Sequence, residues 1–228
     1  MIQVSFDNLE TGGSSSGIVQ TCPSAVFCDA QHNVLGEFNS FCRPPKTAIF
    51  LRQACECHGI FSRDDEKLKD APKVETVWSD FCSKVESIFN NQCHKLNSED
   101  LACVLVAWNG KACDVNCIWK LVNSNNSCEF PAEIKFFMDP CQVIKSYKSC
   151  PINKEKSNLP SMNLGAVFQF VTNETLNDAH DSLADCHAQG KVIAPEAFSS
   201  FKDKVKSIQT VRVSGLQKKR GVWNKKLS

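Results

Sequence analysis

Short stretches of alternating apolar and polar residues open the chain and predict three β-strands. The first spans Ile2–Phe6, and the others span Ala25–Cys28 and Val34–Phe41. A polar turn separates the second strand from the third, and Arg43-Pro44-Pro45 ends the third. Three consecutive short strands predict an antiparallel meander.

The following part of the chain alternates predicted helices with predicted strands. Apolar positions at i, i+3, i+4 and i+7 predict a long helix from about Pro72 to Asn90. The apolar runs Leu101–Ala107 and Ile134–Met138 predict two strands. Three further helices are predicted, over Asp114–Val122, from a Ser161 cap onward and over Asp181–Ile193. This order predicts an α/β protein with a mixed sheet covered by helices on both faces.

The composition is that of a soluble globular protein. The chain has 228 residues, of which 42% are hydrophobic and 22% charged. No apolar run is long enough to span a bilayer, and no basic and apolar leader opens the chain. We therefore expect no membrane contact and a nuclear or cytoplasmic protein.

The net charge of +1 combines two opposite parts. Residues 201–228 hold nine basic residues and one acidic residue, a net charge of +8, which leaves −7 for the preceding 200 residues. This division predicts a domain over residues 1–195 and a basic C-terminal helix or tail over residues 196–228. Such a tail can hold a phosphate backbone, direct the protein to the nucleus, or be a solvated run of charge.

The chain contains 14 cysteines. Without a secretion signal, they indicate reduced thiols that fill the core rather than disulfides. Cys55-Glu56-Cys57-His58 and Cys93-His94 also permit a zinc-stabilised interaction domain, although the C-x-x-C spacing of zinc fingers is absent.

Four acidic residues stand at the ends of predicted elements. Asp7 and Glu10 follow the first strand, Asp114 opens a helix, and Asp185 lies in the last predicted helix, five residues after His180. A single carboxylate of this kind is more often a helix cap or a solvated surface charge than a metal ligand. Together, carboxylates at adjacent sheet ends can bind two divalent cations about 3.5–4 Å apart, which is a site for phosphodiester hydrolysis.

Three segments resemble, in order, the motifs of the DEDDh 3′–5′ exonucleases. Phe6–Gly13 resembles their Phe-Asp-x-Glu-Thr-Thr-Gly motif, Leu105–Asp114 resembles Ala-His-Asn followed by Asp, and Ala179–Asp185 matches His-x4-Asp. Ser161–Gly165, ahead of the third motif, is similar to the three-prime repair exonuclease branch. The resemblance covers about residues 1–195.

The resemblance implies an RNase H-like three-layer fold with a mixed five-stranded sheet flanked by helices. It implies that Asp7, Glu10, Asp114 and Asp185 hold two Mg²⁺ or Mn²⁺ ions and that His180 takes a proton from the attacking water. The activity implied is 3′–5′ exonucleolytic release of nucleoside 5′-monophosphates from DNA or RNA.

The resemblance also implies a nucleic-acid partner and, since the branch forms dimers, a homodimer. It places Thr11, Trp108 and Asn109 among the candidate substrate-binding residues. Trp108 stands where many members have His. It is either a buried aromatic at a strand end or a platform on which a base stacks, an interaction of about 1–3 kcal/mol.

The first motif departs from the family pattern. Asp7 and Glu10 are three residues apart, so a regular strand would point them to opposite faces. Either a β-bulge accommodates Asn8, or Asn8 takes the usual Asp position and a neutral amide replaces an anionic ligand. The Phe6-Asp7 pair favours the bulge. The altered motif leaves a second hypothesis, a catalytically impaired exonuclease-like module that binds nucleic acid or protein.

Overall fold

The first three strands form the predicted antiparallel meander. In the computed structural model, which describes residues 1–12, 20–98, 100–110, 114–124, 128–146, 161–193 and 206–207, β1 spans Ile2–Glu10. Strand β2 spans Gln20–Cys28 and β3 spans Val34–Asn39. Both pairings, β1 with β2 and β2 with β3, are antiparallel. The first two strands are longer than predicted from their apolar residues, because the backbone pairing continues through neighbouring polar residues.

The remaining strands complete a mixed sheet. Strands β4 (Cys103–Val106) and β5 (Ile134–Met138) run parallel to β1, and the strand order is β3-β2-β1-β4-β5-β6. The five-stranded mixed sheet predicted from the sequence is therefore confirmed. A two-residue strand, β6 (Lys206–Ser207), extends it by pairing antiparallel with β5. Because β1, β4 and β5 are parallel, their carboxyl ends meet at one edge of the sheet.

Six helices accompany the strands in the described part of the chain. Their bounds are α1 Arg52–His58, α2 Val74–Leu96, α3 Asp114–Ser124, α4 Pro140–Ser146, α5 Leu164–Thr172 and α6 Ser182–Val192. A 3₁₀ turn spans Glu66–Leu68. Among the described residues, no helix has both the length and the apolar character needed to cross a membrane.

Helices cover both faces of the sheet, as the three-layer prediction requires. On one face, strand residues such as Phe6 and Leu105 pack against Trp78 and Phe81 of α2 and Ile118 of α3. On the other face, a second apolar cluster joins β4 and β5 to α4, α5 and α6. Alternation along β1 therefore sends even-numbered residues toward α2 and α3 and odd-numbered residues toward α6.

Two local predictions are corrected by the structure. The cap of α5 is Asn163, whose side chain accepts from the N–H of Ala166 at 2.8 Å, while the hydroxyl of Ser161 accepts from Asn163. Lys206 and Ser207 form β6 rather than part of a tail helix. The other residues of the predicted tail, from 196 onward, lie outside the described residues.

The described cysteines agree with the prediction of core-filling thiols. None of the cysteine side chains in the described part of the chain forms a disulfide, and most of them are buried. Burial raises the pKa of the Cys103 thiol to about 12 and that of Cys28 to about 11. These thiols therefore remain protonated at neutral pH.

Candidate active site

Strand β1 keeps a regular alternation through the first motif. Its pairing with β2 is unbroken from Gln3 to Leu9, and the irregularity falls between Leu9 and Glu10, where β2 contributes the extra residue. The prediction of a bulge at Asn8 is therefore wrong. Asn8 and Glu10 share one face of the strand, and Asp7 points to the other face.

The Asn8 side chain joins two of the predicted carboxylates. Its Nδ2 donates to Asp114 Oδ1 at 2.7 Å and to Glu10 Oε1 at 3.2 Å. The backbone N–H of Asn8 also donates to Asp114 Oδ1, at 3.2 Å. Asn8 and Asp114 are both buried, so these contacts lie in the interior beside the end of β1.

A turn over residues 107–110, after β4, is hydrogen-bonded to the start of the helix that carries Asp114. The N–H of Gly110 donates to the carbonyl of Ala107 at 3.1 Å, and the carbonyl of Gly110 accepts from the N–H of Val115 at 2.9 Å. This second bond ties the loop to the start of α3, whose first residue is Asp114. The loop thus fixes where the Asp114 carboxylate meets β1.

Helix α6 brings the third motif to the opposite face of β1. Asp181 caps the helix through the N–H of Ala184, and the hydroxyl of Ser182 donates to the Asp7 carboxylate. Asp185, one turn further along, accepts from the backbone N–H of His180.

His180 is exposed and has a φ of 75°, a left-handed conformation that non-glycine residues rarely adopt. The turn therefore places its ring beside Asp185 and open to solvent.

The four predicted carboxylates lie close enough to interact. Burial raises the pKa of Asp7 well above its usual value, and the charges of Asp114, Asp185 and Glu10 raise it further. Burial also raises the pKa of Asp185 to about 6, partly offset by the nearby His180. Three distant segments of sequence thus converge on one electronegative site at the edge of the sheet.

The donor set suits a hard divalent cation. All four side chains offer carboxylate oxygens, which Mg²⁺ and Mn²⁺ prefer, and the raised pKa of Asp7 reflects a negative charge that a cation would compensate. Yet among the described residues no three His, Cys, Asp or Glu side chains stand in the geometry of a metal site. The Asn8 amide accounts for part of this, because oxygens of Glu10 and Asp114 are directed at its Nδ2. The same finding gives no support, within the described residues, to zinc at the cysteine and histidine clusters.

The predicted substrate residues surround this site with different exposures. The Thr11 hydroxyl is buried without a hydrogen-bond partner, directly after Glu10. The half-buried Trp108 packs against the second apolar cluster and donates from Nε1 to the Met162 carbonyl at 3.2 Å. This contact supports the packing interpretation of Trp108. Asn109 is exposed, and its backbone N–H donates to Asp139.

Sequence reasoning missed how helix α1 contributes to the site. His58 Nε2 lies 3.1 Å from the carbonyl oxygen of Glu10, and the N–H of Leu51 donates to the carbonyl of Thr11 at 2.7 Å. Beside these contacts, Ile49, Leu51 and Phe61 are largely exposed. We call these three residues the rim. The sequence shows apolar residues there, and it is the structure that shows them exposed.

Comparisons with known proteins support the fold. No family model and no curated protein sequence matches the chain. Among solved structures, an exonuclease I matches with a TM-score of 0.63 at 15% identity, covering 89% of this chain and 42% of that one. The nuclease CRN-4 matches with a TM-score of 0.59 at 12% identity, covering 90% and 65%.

A full-length 3′-exonuclease matches with a TM-score of 0.62 at 11% identity, covering 91% of this chain and 66% of that one. The chain spans less than two thirds of the length of each of these proteins. The chain has the RNase H-like exonuclease fold of these neighbours, which confirms the fold predicted from the three motifs.

Proposed function

We propose that this protein is a metal-dependent 3′–5′ exonuclease that hydrolyses the terminal phosphodiester of DNA or RNA and releases nucleoside 5′-monophosphates. The observation that carries the proposal is the convergence of Asp7, Glu10, Asp114 and Asp185, which come from three motifs in the order typical of such enzymes. The solved neighbours are nucleases by name, and Escherichia coli exonuclease I has been solved with a dT13 oligonucleotide.

The four carboxylates would hold two Mg²⁺ or Mn²⁺ ions. Bound there, the ions would supply an activated water and compensate the charge on the leaving oxygen. Asp7 is central to this arrangement, because it interacts electrostatically with the other three carboxylates. Ser182 orients it by donating a hydrogen bond from the opposite face of the strand.

His180 would act as the general base. Its ring is exposed and lies next to Asp185, so a ring nitrogen can accept a proton from water at the site and release it to solvent. The hydrogen bond from its backbone N–H to Asp185 couples the position of the base to that of a metal ligand. The left-handed backbone of His180 supports this role, since strained residues concentrate at active sites.

The rim formed by Ile49, Leu51 and Phe61 would contact the nucleotides nearest the 3′ end. Leu51 is hydrogen-bonded to the residue after Glu10, so an apolar surface adjoins the acidic site. Bases stack on aromatic side chains without sequence preference, and Phe61 supplies one at this surface. The acidic site would then bind phosphate through its cations, and the rim would bind bases.

An end-labelled oligonucleotide assay tests the proposal. Purified protein with Mg²⁺ or Mn²⁺ is incubated with single- and double-stranded DNA and RNA, and released mononucleotides are resolved by chromatography. We expect stepwise release from the 3′ end, loss of release in Asp185→Ala and His180→Ala, and near-normal release in the control Asp80→Ala, which changes an exposed residue of α2. Absence of release from every substrate with either ion would refute the proposal and favour the non-catalytic module.

A further inference from the structure

The amide of Asn8 lies between two of the carboxylates that would hold the proposed cations. Nδ2 lies 2.7 Å from Asp114 Oδ1 and 3.2 Å from Glu10 Oε1. An amide nitrogen carries two hydrogens, so it can donate to both oxygens at once. The side chain thus holds Glu10 and Asp114 together as a bridging cation would, but without a charge.

The backbone of β1, and not only the side-chain rotamer, sets the orientation of the Asn8 amide. Regular pairing of β1 with β2 up to Leu9 turns Asn8 to the face opposite Asp7. The 3.2 Å contact with Asn8 Nδ2 places the Glu10 carboxylate on the side of Asn8. The backbone N–H of Asn8 donates to the same Asp114 oxygen, at 3.2 Å. Asn8 and Asp114 are only 5% and 4% exposed, so water competes weakly for these hydrogen bonds.

Among the described residues, no side-chain amide donates to the other two carboxylates of the cluster, those of Asp7 and Asp185. Asp7 points away from Asn8, toward α6, where it receives a hydrogen bond from Ser182 and interacts with Asp185. The two halves of the cluster are therefore unequal. One half presents Asp7 and Asp185 to a cation, and in the other half Glu10 and Asp114 are bridged by an amide.

We propose that the Asn8 amide competes with the second divalent cation, so that the chain binds one ion tightly at Asp7 and Asp185 and a second ion weakly. The second ion requires Asn8 Nδ2 to leave Glu10 and Asp114. This inference rests on the proposed function, because it concerns the same cations. Since a hydrogen bond to a charged group shifts an equilibrium by about tenfold or more, the second dissociation constant exceeds the first by at least about tenfold.

Titration of the 228-residue chain with Mn²⁺ alone, followed by calorimetry and by the electron paramagnetic resonance of free Mn²⁺, tests this inference. We expect one tight ion per wild-type chain and a second that binds at least about tenfold more weakly. Asn8→Asp should bind two ions of similar affinity, because it replaces the donor with a ligand. Asn8→Ala should tighten the second ion, because it removes the competitor. Asn173→Asp, which adds a charge on an exposed turn, should bind as wild type does.

Thermal melting, in EDTA and then with Mn²⁺, gives a readout independent of activity. Asn8→Asp should melt below wild type without metal, because it adds a fifth carboxylate to the cluster, and should gain more from Mn²⁺ than wild type does. If Asn8→Asp does not fold, the Mn²⁺ titrations of wild type and of Asn8→Ala still test whether Asn8 weakens binding of the second ion.

Two equally tight ions in wild type, or a weaker second ion in Asn8→Ala, would overturn the role of Asn8 and leave the proposed function standing. Absence of any Mn²⁺ binding by wild type would overturn both proposals.

Discussion

His58 Nε2 lies 3.1 Å from the carbonyl oxygen of Glu10, across 48 residues of sequence. The other ring nitrogen, Nδ1, accepts from the N–H of Ile60 at 3.1 Å. Since Nδ1 uses its lone pair as an acceptor, the proton of the neutral ring is on Nε2, which donates to Glu10. Burial lowers the pKa of His58 below its ordinary 6.5, which keeps this neutral form at physiological pH. His58 therefore anchors the end of β1 where a candidate metal ligand emerges.

We predict that His58→Phe weakens binding of the second, weaker Mn²⁺ ion, and with it nuclease activity, by about 10–100-fold, as loss of a residue that orients a metal ligand does. The ring is retained, so the effect reports the lost hydrogen bonds to Glu10 and Ile60. His58→Gln, whose amide can donate to the Glu10 carbonyl, should restore part of the metal affinity. Mn²⁺ titration of both variants measures this.

The exposed His94 provides a control, since His94→Phe makes the same change on the last turn of α2. It should bind Mn²⁺ as wild type does. A lower melting temperature in His58→Phe with unchanged Mn²⁺ affinity would show that His58 stabilises the fold without positioning Glu10.

The elements that were predictable are those in which burial repeats with a regular period. Helix α2 buries Val77, Trp78, Phe81 and Val85 along one side, which gives the sequence a clear helical period. Helix α1 has seven residues and buries one of them, Cys55, so no period marks it. Its end is set by Gly59, which adopts a left-handed φ of 74°.

The acidic residues of the site were predictable because they stand in three segments that resemble known motifs in the same order. The role of Asn8 was not predictable. That role depends on the register of β1 against β2, and the strand alternation alone left two arrangements open. The irregularity falls one residue beyond Asn8, at Leu9 and Glu10, and it is β2 that takes the extra residue. Such a choice depends on the pairing of two strands rather than on either sequence by itself.

The contribution of Asp185 to the stability of the metal-free protein should fall as the pH rises. Burial raises the pKa of Asp185 from 3.8 to about 6, so the folded state holds this proton more tightly than the unfolded state does. The contribution is therefore fully present below pH 3.8 and is lost as the pH rises through about 6. The raised pKa of Asp7 acts in the same direction. Melting curves in EDTA between pH 4 and pH 8 should show this decline.

Asp185→Asn should flatten that decline, since it removes one of the titrating groups, and should reduce the stabilisation that Mg²⁺ gives at pH 7.5. For a chain of this size, each kcal/mol corresponds to about 2–4 °C in melting temperature. Asp80→Asn, on the exposed side of α2, serves as the matched control and should keep the wild-type pH profile. An Asp185→Asn profile parallel to that of wild type would contradict the assignment of the shift to Asp185.

Gly110 is required by close packing in the loop before Asp114. A Cβ at this position would collide with the Cβ of Ala107 and would lie 3.0 Å from the Ala107 carbonyl oxygen. Gly110→Ala should therefore destabilise the protein by about 1–3 kcal/mol, as overpacking does. It should also lower activity, because the carbonyl of Gly110 holds the N–H of Val115 at the start of α3.

Chemical denaturation and the nuclease assay measure the two effects. Gly190→Ala is the control, because nothing lies within 4 Å of a Cβ there and the residue is inside α6. Alanine is the better helix former by about 0.8–1.0 kcal/mol, so this variant should be as stable as wild type or more so. Equal stability of Gly110→Ala and wild type would show that the loop relaxes without cost.

Phe61 is 57% exposed, three residues after His58, and we predict that it contributes to substrate affinity rather than to stability. Phe61→Ala should weaken the binding of a single-stranded oligonucleotide by about 1–3 kcal/mol, the contribution of one stacked base. The control is Val34→Ala, which truncates a side chain of similar exposure, 54%, at the opposite end of the sheet, where β3 begins. Fluorescence anisotropy in Ca²⁺, in place of Mg²⁺ to limit turnover, compares the two variants with wild type. Equal losses of affinity in both variants would mean that the rim of Ile49, Leu51 and Phe61 does not bind the oligonucleotide specifically. An unchanged affinity in Phe61→Ala would show that this side chain does not contact the oligonucleotide.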